Sequence, residues 1–137
     1  MNKRKWTRSI LLAILLAAVT AFSGLGAACV TTGSSGGGYA LTSSGGVSST
    51  IDKPIDRVAA SVQAAFTAEG IELTETSNKT EGDRRDIKGK KGDMTVHVEL
   101  AYNGAGSTKA EVTVRKDVVT FDKDYAHHLM DLIVKGS

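Results

Sequence analysis

The sequence predicts an α+β domain in which a short strand is followed by a helix, three or four antiparallel strands and a closing helix. Two stretches repeat apolar residues at helical spacing, and others alternate apolar and polar residues as half-buried strands do. Because one face of the strands is apolar and the other charged, we expect both helices to pack on the apolar face. We place this domain at residues 46–137.

The first helix is predicted over residues 53–69, after a short strand at about 46–51. Asp52 is the expected N-cap, Pro54 suits the first turn and Gly70 is expected to end the helix. The spacing of three and four residues gives the helix a single buried face. This face consists of Ile55, Val58, Ala59, Val62, Ala65 and Phe66.

Strands and a second helix follow. We expect Ile71 and Leu73 on the buried side of the first of these strands, and a hairpin turn at 103–106. Asp122 is expected to cap a helix over 123–135. The predicted strands cover residues 71–76, 84–89, 94–102 and 108–115. The predicted buried face of the helix contains Tyr125, Leu129, Leu132 and Ile133. The residues expected to meet in one core include Val62, Phe66, Val98, Val112 and Leu129.

Residues 1–28 are predicted to be a bacterial export signal. A cationic start precedes a 13-residue apolar run at 10–22, and small residues follow this run. The run is shorter than the roughly 20 residues that a membrane-spanning helix requires. The uncharged stretch 9–28 leaves an uncleaved membrane anchor as the alternative.

The single cysteine, Cys29, directly follows this signal. Together with Ala27 and Ala28 it resembles the lipobox of bacterial lipoproteins, in which an aliphatic residue is usual at the place of Gly26. The resemblance implies that Cys29 is acylated and anchors the protein to a membrane. Val30, which stands where Asp would favour the inner membrane, implies the outer membrane and an orientation toward the periplasm. The alternative is an ordinary signal peptide followed by a free thiol.

A flexible tether is predicted at residues 29–45, which are rich in Gly, Ser and Thr and contain no charged residue. The leader contains four of the 17 Lys and Arg residues, so 13 basic and 15 acidic residues follow it, a net charge of −2. A mildly acidic protein of this kind is not expected to bind nucleic acid.

The chain from Cys29 onward is similar to a family of small bacterial lipoproteins whose domain has no assigned function. The similarity lies in Asp56–Val58 of the first helix, in the helix exit Gly70–Ile71 and in the segment Leu129–Ile133. It implies a compact α+β domain behind a lipid anchor and indicates no particular chemistry.

The densest cationic segment occupies residues 83–93. One interpretation is contact with anionic lipid headgroups or cell-wall polymer. The other, which the mixed charge favours, is a solvated hairpin whose charges discourage edge pairing. The cationic residues are Arg84, Arg85, Lys88, Lys90 and Lys91.

The histidines are His97, His127 and His128. Neighbouring histidines point about 100° apart on a helix, and His97 belongs to a strand, so we expect neither a metal site nor a cofactor. No nucleophile, base and acid occur in a catalytic pattern. The sequence therefore predicts a non-catalytic binding or structural protein of the bacterial envelope, with the membrane and an envelope protein or cell-wall polymer as partners. A small enzyme or metal-dependent factor that uses one of these histidines is the alternative.

Overall fold

The computed structural model describes residues 38–104 and 106–137. The predicted signal peptide, Cys29 and the first part of the predicted tether lie outside the described residues. Within the described ranges, no helix is long and apolar enough to cross a membrane. The strands are β1 (Ala40–Leu41), β2 (Val47–Ile51), β3 (Glu72–Lys79), β4 (Arg84–Lys91), β5 (Met94–Tyr102) and β6 (Thr108–Arg115), and the helices are α1 (Ile55–Glu69) and α2 (Lys123–Gly136).

These strands form one antiparallel sheet in the order β1-β2-β6-β5-β4-β3. Strands β3 to β6 follow one another as a meander. Helix α1 carries the chain from β2, near one edge of the sheet, to β3 at the other edge. The predicted α+β class is therefore confirmed, since an antiparallel sheet is combined with two separate helices in the described part of the chain.

The core lies between the sheet and the helices. Helix α1 contacts β3, β4 and β5, helix α2 contacts β2 and β6, and the two helices contact each other. Alternate residues of β4, β5 and β6 are buried against them, as strand geometry requires. The prediction that five named residues share one core is confirmed for Val62, Phe66, Val98, Val112 and Leu129.

Strand β1 lies inside the segment 29–45 that was predicted to be tether. It pairs with the start of β2, and the N–H of Thr42 donates to the carbonyl of Gly46 at 2.9 Å to close the turn between them. The folded domain therefore begins before residue 46. Composition alone does not show this pairing, because the backbone hydrogen bonds that hold β1 come from β2.

The prediction that Asp52 caps α1 is wrong. Pro54 is the N-cap residue, with ψ 151° and no side-chain hydrogen bond, so Asp52 lies two positions too early to reach the free N–H groups of the first turn. The other two predicted helix boundaries are confirmed. Gly70 ends α1 in the left-handed conformation with φ 65°, and Asp122 caps α2 by accepting from the N–H of Tyr125 at 3.0 Å.

The buried face of α2 is rotated relative to the prediction. Tyr125 and Leu132 are only partly buried. The hydroxyl of Tyr125 keeps polar partners at the edge of the core. The fully buried residues of α2 are Ala126, Leu129, Met130 and Ile133.

Strand β3 is more exposed than predicted. Ile71, just before β3, is buried, but Leu73 is 48% exposed. β3 is an edge strand, and its pairing with β4 is irregular between Leu73 and Glu75. The alternation predicted for residues 71–76 therefore does not place Leu73 in the core.

Candidate functional site

A cavity of about 330 Å³ lies on the face of the sheet opposite to the core. We call this the open face. Strand alternation directs the neighbours of the buried core residues of β5 and β6 toward it. These two strands contribute Thr95, His97, Glu99, Glu111, Thr113 and Arg115 to the cavity.

The pairing of β5 with β6 arranges these six residues in three rows whose charge changes from positive to negative. Adjacent rows lie two residues apart along each strand, which corresponds to about 6.6–6.8 Å. Two carboxylates stand directly opposite each other at one end, an unfavourable arrangement unless other groups compensate it. The rows are Arg115 with Thr95, Thr113 with His97, and Glu111 with Glu99.

The two carboxylates of the acidic row are compensated differently. Glu99 Oε1 lies 2.6 Å from Arg84 Nη2, so this carboxylate has a cationic partner on β4. Glu111 Oε1 accepts a hydrogen bond from the hydroxyl of Ser44 at 2.6 Å and forms no ion pair with any described residue. Ser44 belongs to the turn between β1 and β2, which thereby reaches the cavity.

The ion pair beside the cavity is structural. Asp86 is buried and pairs with Lys79, while His97 Nε2 lies 3.6 Å from Asp86 Oδ1. Burial by itself would raise the pKa of Asp86. The hydrogen bond and charge of Lys79, with smaller contributions from His97 and Arg84, outweigh burial and hold this pKa below its ordinary value. Asp86 is therefore ionised at neutral pH.

The cationic segment predicted as a possible anionic-surface contact does not form one patch. Strand alternation along β4 directs Arg84, Lys88 and Lys90 to the open face, whereas Arg85 and Lys91 lie on the helix side. Four of the five cations are also paired with carboxylates, which reduces the field they present to an anionic surface. The pairs are Arg84 with Glu99, Arg85 with Asp56, Lys88 with Glu75 and Lys91 with Glu69.

A polar network on the helix side joins α1, α2 and the end of β4. Glu69 Oε1 lies 2.9 Å from His128 Nε2, and Glu69 Oε2 accepts from the Tyr125 hydroxyl at 2.9 Å and from Lys91 Nζ at 3.3 Å. The pKa of Glu69 is lowered to about 2, chiefly by the hydrogen bonds from His128 and Tyr125. A further hydrogen bond from Lys91 acts in the same direction, and together these bonds outweigh the effect of partial burial. His128 thus has a structural partner.

His127 of α2 has a structural role, because it contacts the segment at the start of the described chain. Its ring meets the ring of Tyr39 edge to face, with centroids 4.6 Å apart, and its Nδ1 lies 3.8 Å from Asp131 Oδ2. Tyr39 donates its hydroxyl to Asp131, and burial together with this carboxylate raises the pKa of Tyr39 to about 12. These contacts attach the segment before β1 to α2.

The histidines are not brought together. His97 lies on the open face, whereas His127 and His128 lie on α2 and point to different partners. Among residues 38–104 and 106–137, no group of three or more His, Cys, Asp or Glu side chains is placed to hold a metal ion.

Replacing Glu69 with Gln is expected to lower the free energy of unfolding by about 1–2 kcal/mol near pH 6, a value reduced for partial solvent exposure. Because folding lowers the pKa of Glu69, its contribution is full above the unfolded value of 4.5 and is lost as the pH falls toward 2. Thermal melts at several pH values should therefore show the wild type and Glu69→Gln converging at acidic pH. Glu72→Gln, at an exposed carboxylate, is the control and should leave the melting temperature unchanged. A difference between wild type and Glu69→Gln that persists unchanged at pH 2 would contradict this assignment.

The chain matches no protein-family model and no curated protein. The geometry of the open face and the helix-side network is therefore the basis for a functional interpretation.

Of the residues that line the cavity, sequence reasoning singled out His97 and Lys88 but not the others. The alternation in 94–102 and 108–115 indicates that Glu99, Glu111 and Arg115 leave the core. The predicted hairpin turn indicates that these two strands pair, but the register that places the residues in rows depends on the turn geometry, which the structure provides. For Ser44 no sequence signal exists, because it reaches the cavity only through the β1–β2 turn.

Proposed function

We propose that this protein is a lipid-anchored, periplasm-facing lipoprotein of the bacterial envelope that acts as a non-catalytic binding or structural module. The observation that supports binding is the polar cavity on the open face, where both signs of charge converge. Small-molecule and peptide sites combine such a concavity with a few placed polar groups. The outer membrane is the proposed location.

The charged groups around the cavity favour binding over catalysis. Arg84 neutralises Glu99, and Lys79 neutralises the buried Asp86. Catalytic acids and bases instead need a pKa matched to their task. Glu111, which has no cationic partner among the described residues, is therefore the carboxylate of this face best suited to hold a ligand by charge.

The anchor is proposed from Cys29 and the leader before it. Tyr39, near the start of the described residues, is attached to α2. A chain running from residue 29 to residue 38 spans at most about 32 Å. A domain held in this way would remain close to the membrane surface, with its open face accessible to soluble or wall-bound ligands.

Replacing Cys29 with Ser is expected to release the protein from the membrane, because no acyl chain can then be attached to it. Cells producing the wild type or the variant are fractionated, and the membranes are washed with high salt. We expect the wild type in the membrane pellet and Cys29→Ser in the soluble periplasmic fraction.

Ser35→Ala, a substitution in the same segment, is the control and should leave the protein in the pellet. Retention of Cys29→Ser in the washed pellet would contradict acyl anchoring and favour an uncleaved N-terminal helix. Loss of both the wild type and Cys29→Ser from the pellet would contradict membrane anchoring altogether.

A further inference from the structure

We propose that the cavity on the open face binds a short zwitterionic peptide of two or three residues. The peptide ammonium would lie at Glu111 and Glu99, and the peptide carboxylate at Arg115. This inference rests on the proposed binding function and names its ligand class.

The first argument is the separation of charge. Arg115 stands at one end of the cavity and the Glu111–Glu99 pair at the other, with the row of Thr113 and His97 between them. Lys88 of β4 stands beside His97 and also lines the cavity, but its charge is paired with Glu75. A ligand of a single charge would match only one end. A ligand with opposite charges at its two ends matches both.

The second argument is that each end contains a charge without a counterion among the described residues. Glu111 accepts only the hydroxyl of Ser44, and the Arg115 guanidinium lies over the Phe121 ring, 5.1 Å from its centroid. Glu99, by contrast, is already paired with Arg84. Glu111 and Arg115 are therefore the groups with the most to gain from a charged ligand.

The third argument is length. Glu111 and Arg115 are four residues apart on β6, so their Cα atoms are separated by about 13–14 Å. An extended peptide advances about 3.4 Å per residue, and two or three residues place the ammonium and carboxylate about 7–10 Å apart. The glutamate and arginine side chains cover the remaining distance.

The threonine hydroxyls of the cavity suit a peptide backbone. The hydroxyls of Thr95 and Thr113 each offer a donor and an acceptor, which is what a peptide N–H and C=O require. The cavity volume of about 330 Å³ is at the lower end of the range of small-ligand sites, as expected for a short peptide.

Trialanine is the probe, and isothermal titration of the full chain in detergent micelles at low salt is the measurement. We expect saturable one-to-one binding with a Kd below about 1 mM. N-acetyl-trialanine and trialanine amide, which each lack one terminal charge, should bind at least about tenfold more weakly. This comparison uses the wild-type protein and so does not depend on the folding of any variant.

Glu111→Gln and Arg115→Gln should each weaken trialanine binding by about tenfold. Lys90→Gln, at an exposed cation of the same face outside the cavity, is the control and should bind as the wild type does. Circular dichroism confirms that each variant is folded. Glu111→Gln should distinguish trialanine from its N-acetyl form less well than the wild type does, because the carboxylate without a cationic partner that recognises the ammonium is lost.

The inference would be overturned if binding did not saturate at trialanine concentrations about tenfold above the expected Kd limit. Equal binding of the free and end-blocked peptides would also overturn it. Neither result would affect the Cys29→Ser fractionation. Failure of the peptide site and failure of the proposed anchoring are therefore distinguishable.

Discussion

Replacing Phe66 with Ala is expected to lower the free energy of unfolding by about 3–5 kcal/mol. Phe66 is 2% exposed and belongs to the cluster in which α1, α2 and the sheet meet. Removing its ring reduces the apolar surface that folding buries, and it leaves a cavity that the neighbouring side chains fill only in part. Because small domains are stable by about 5–15 kcal/mol, this loss removes a large share of the total.

Urea unfolding followed by far-UV circular dichroism measures this loss. Tyr102→Ala is the matched control, since Tyr102 is 55% exposed and an aromatic side chain removed there leaves no cavity. We expect its unfolding free energy to change by less than about 1 kcal/mol. Equal unfolding midpoints for Phe66→Ala and the wild type would show that the buried face of α1 is wrongly assigned.

Replacing Gly89 with Val is expected to destabilise the protein by about 3 kcal/mol or more, at the upper end of the range for overpacked cores. Gly89 is a buried residue of β4, and a Cβ atom added there would lie 2.5 Å from Ile71 Cγ2 and 2.7 Å from Phe66 Cε2. It would also lie 2.9 Å from the carbonyl oxygen of Glu72, which belongs to the backbone of the neighbouring strand. The absent side chain of Gly89 is thus what allows Phe66 and Ile71 to pack against the sheet.

Thermal unfolding tests this prediction, with Gly136→Ala as the control. A Cβ atom at Gly136 would meet Ser61 at 3.6 Å, an ordinary contact, so this variant should melt within a few degrees of the wild type. A double-mutant cycle adds a sharper check. Phe66→Leu should reduce the cost of Gly89→Ala, because the smaller side chain relieves the contact. If the effects of the two substitutions on the free energy of unfolding are strictly additive, the clash does not involve Phe66.

Much of the fold follows from local pattern. Helical spacing predicts α1, and alternation predicts β5 and β6, because the buried face of each element repeats with its own period. Asp122 and Gly70 mark helix ends by local hydrogen bonding and backbone conformation. The prediction failed where the structure of a segment depends on pairing with another strand. Pairing with β2 turns part of the predicted tether into β1.

The candidate site was predicted less well than the fold. The cationic run from Arg84 to Lys91 is continuous in sequence, but a strand sends successive side chains to opposite faces, so the run is divided. Glu99 and Glu111 are distant in sequence and become neighbours only through the register of β5 and β6. A site assembled across strands depends on this register, and local composition does not contain it.

The pairing of β2 with β6 has a consequence for when the domain can fold. Val47 pairs with Val112, 65 positions later in the chain, whereas β3, β4 and β5 each pair with the strand that follows in sequence. The meander can therefore form early, but β2 can be added only after a long loop has closed. Synthesis must pass residue 112 before this pairing begins. A nascent chain would thus remain without its complete sheet for most of its translation, a delay that would be compatible with the export we propose from the leader.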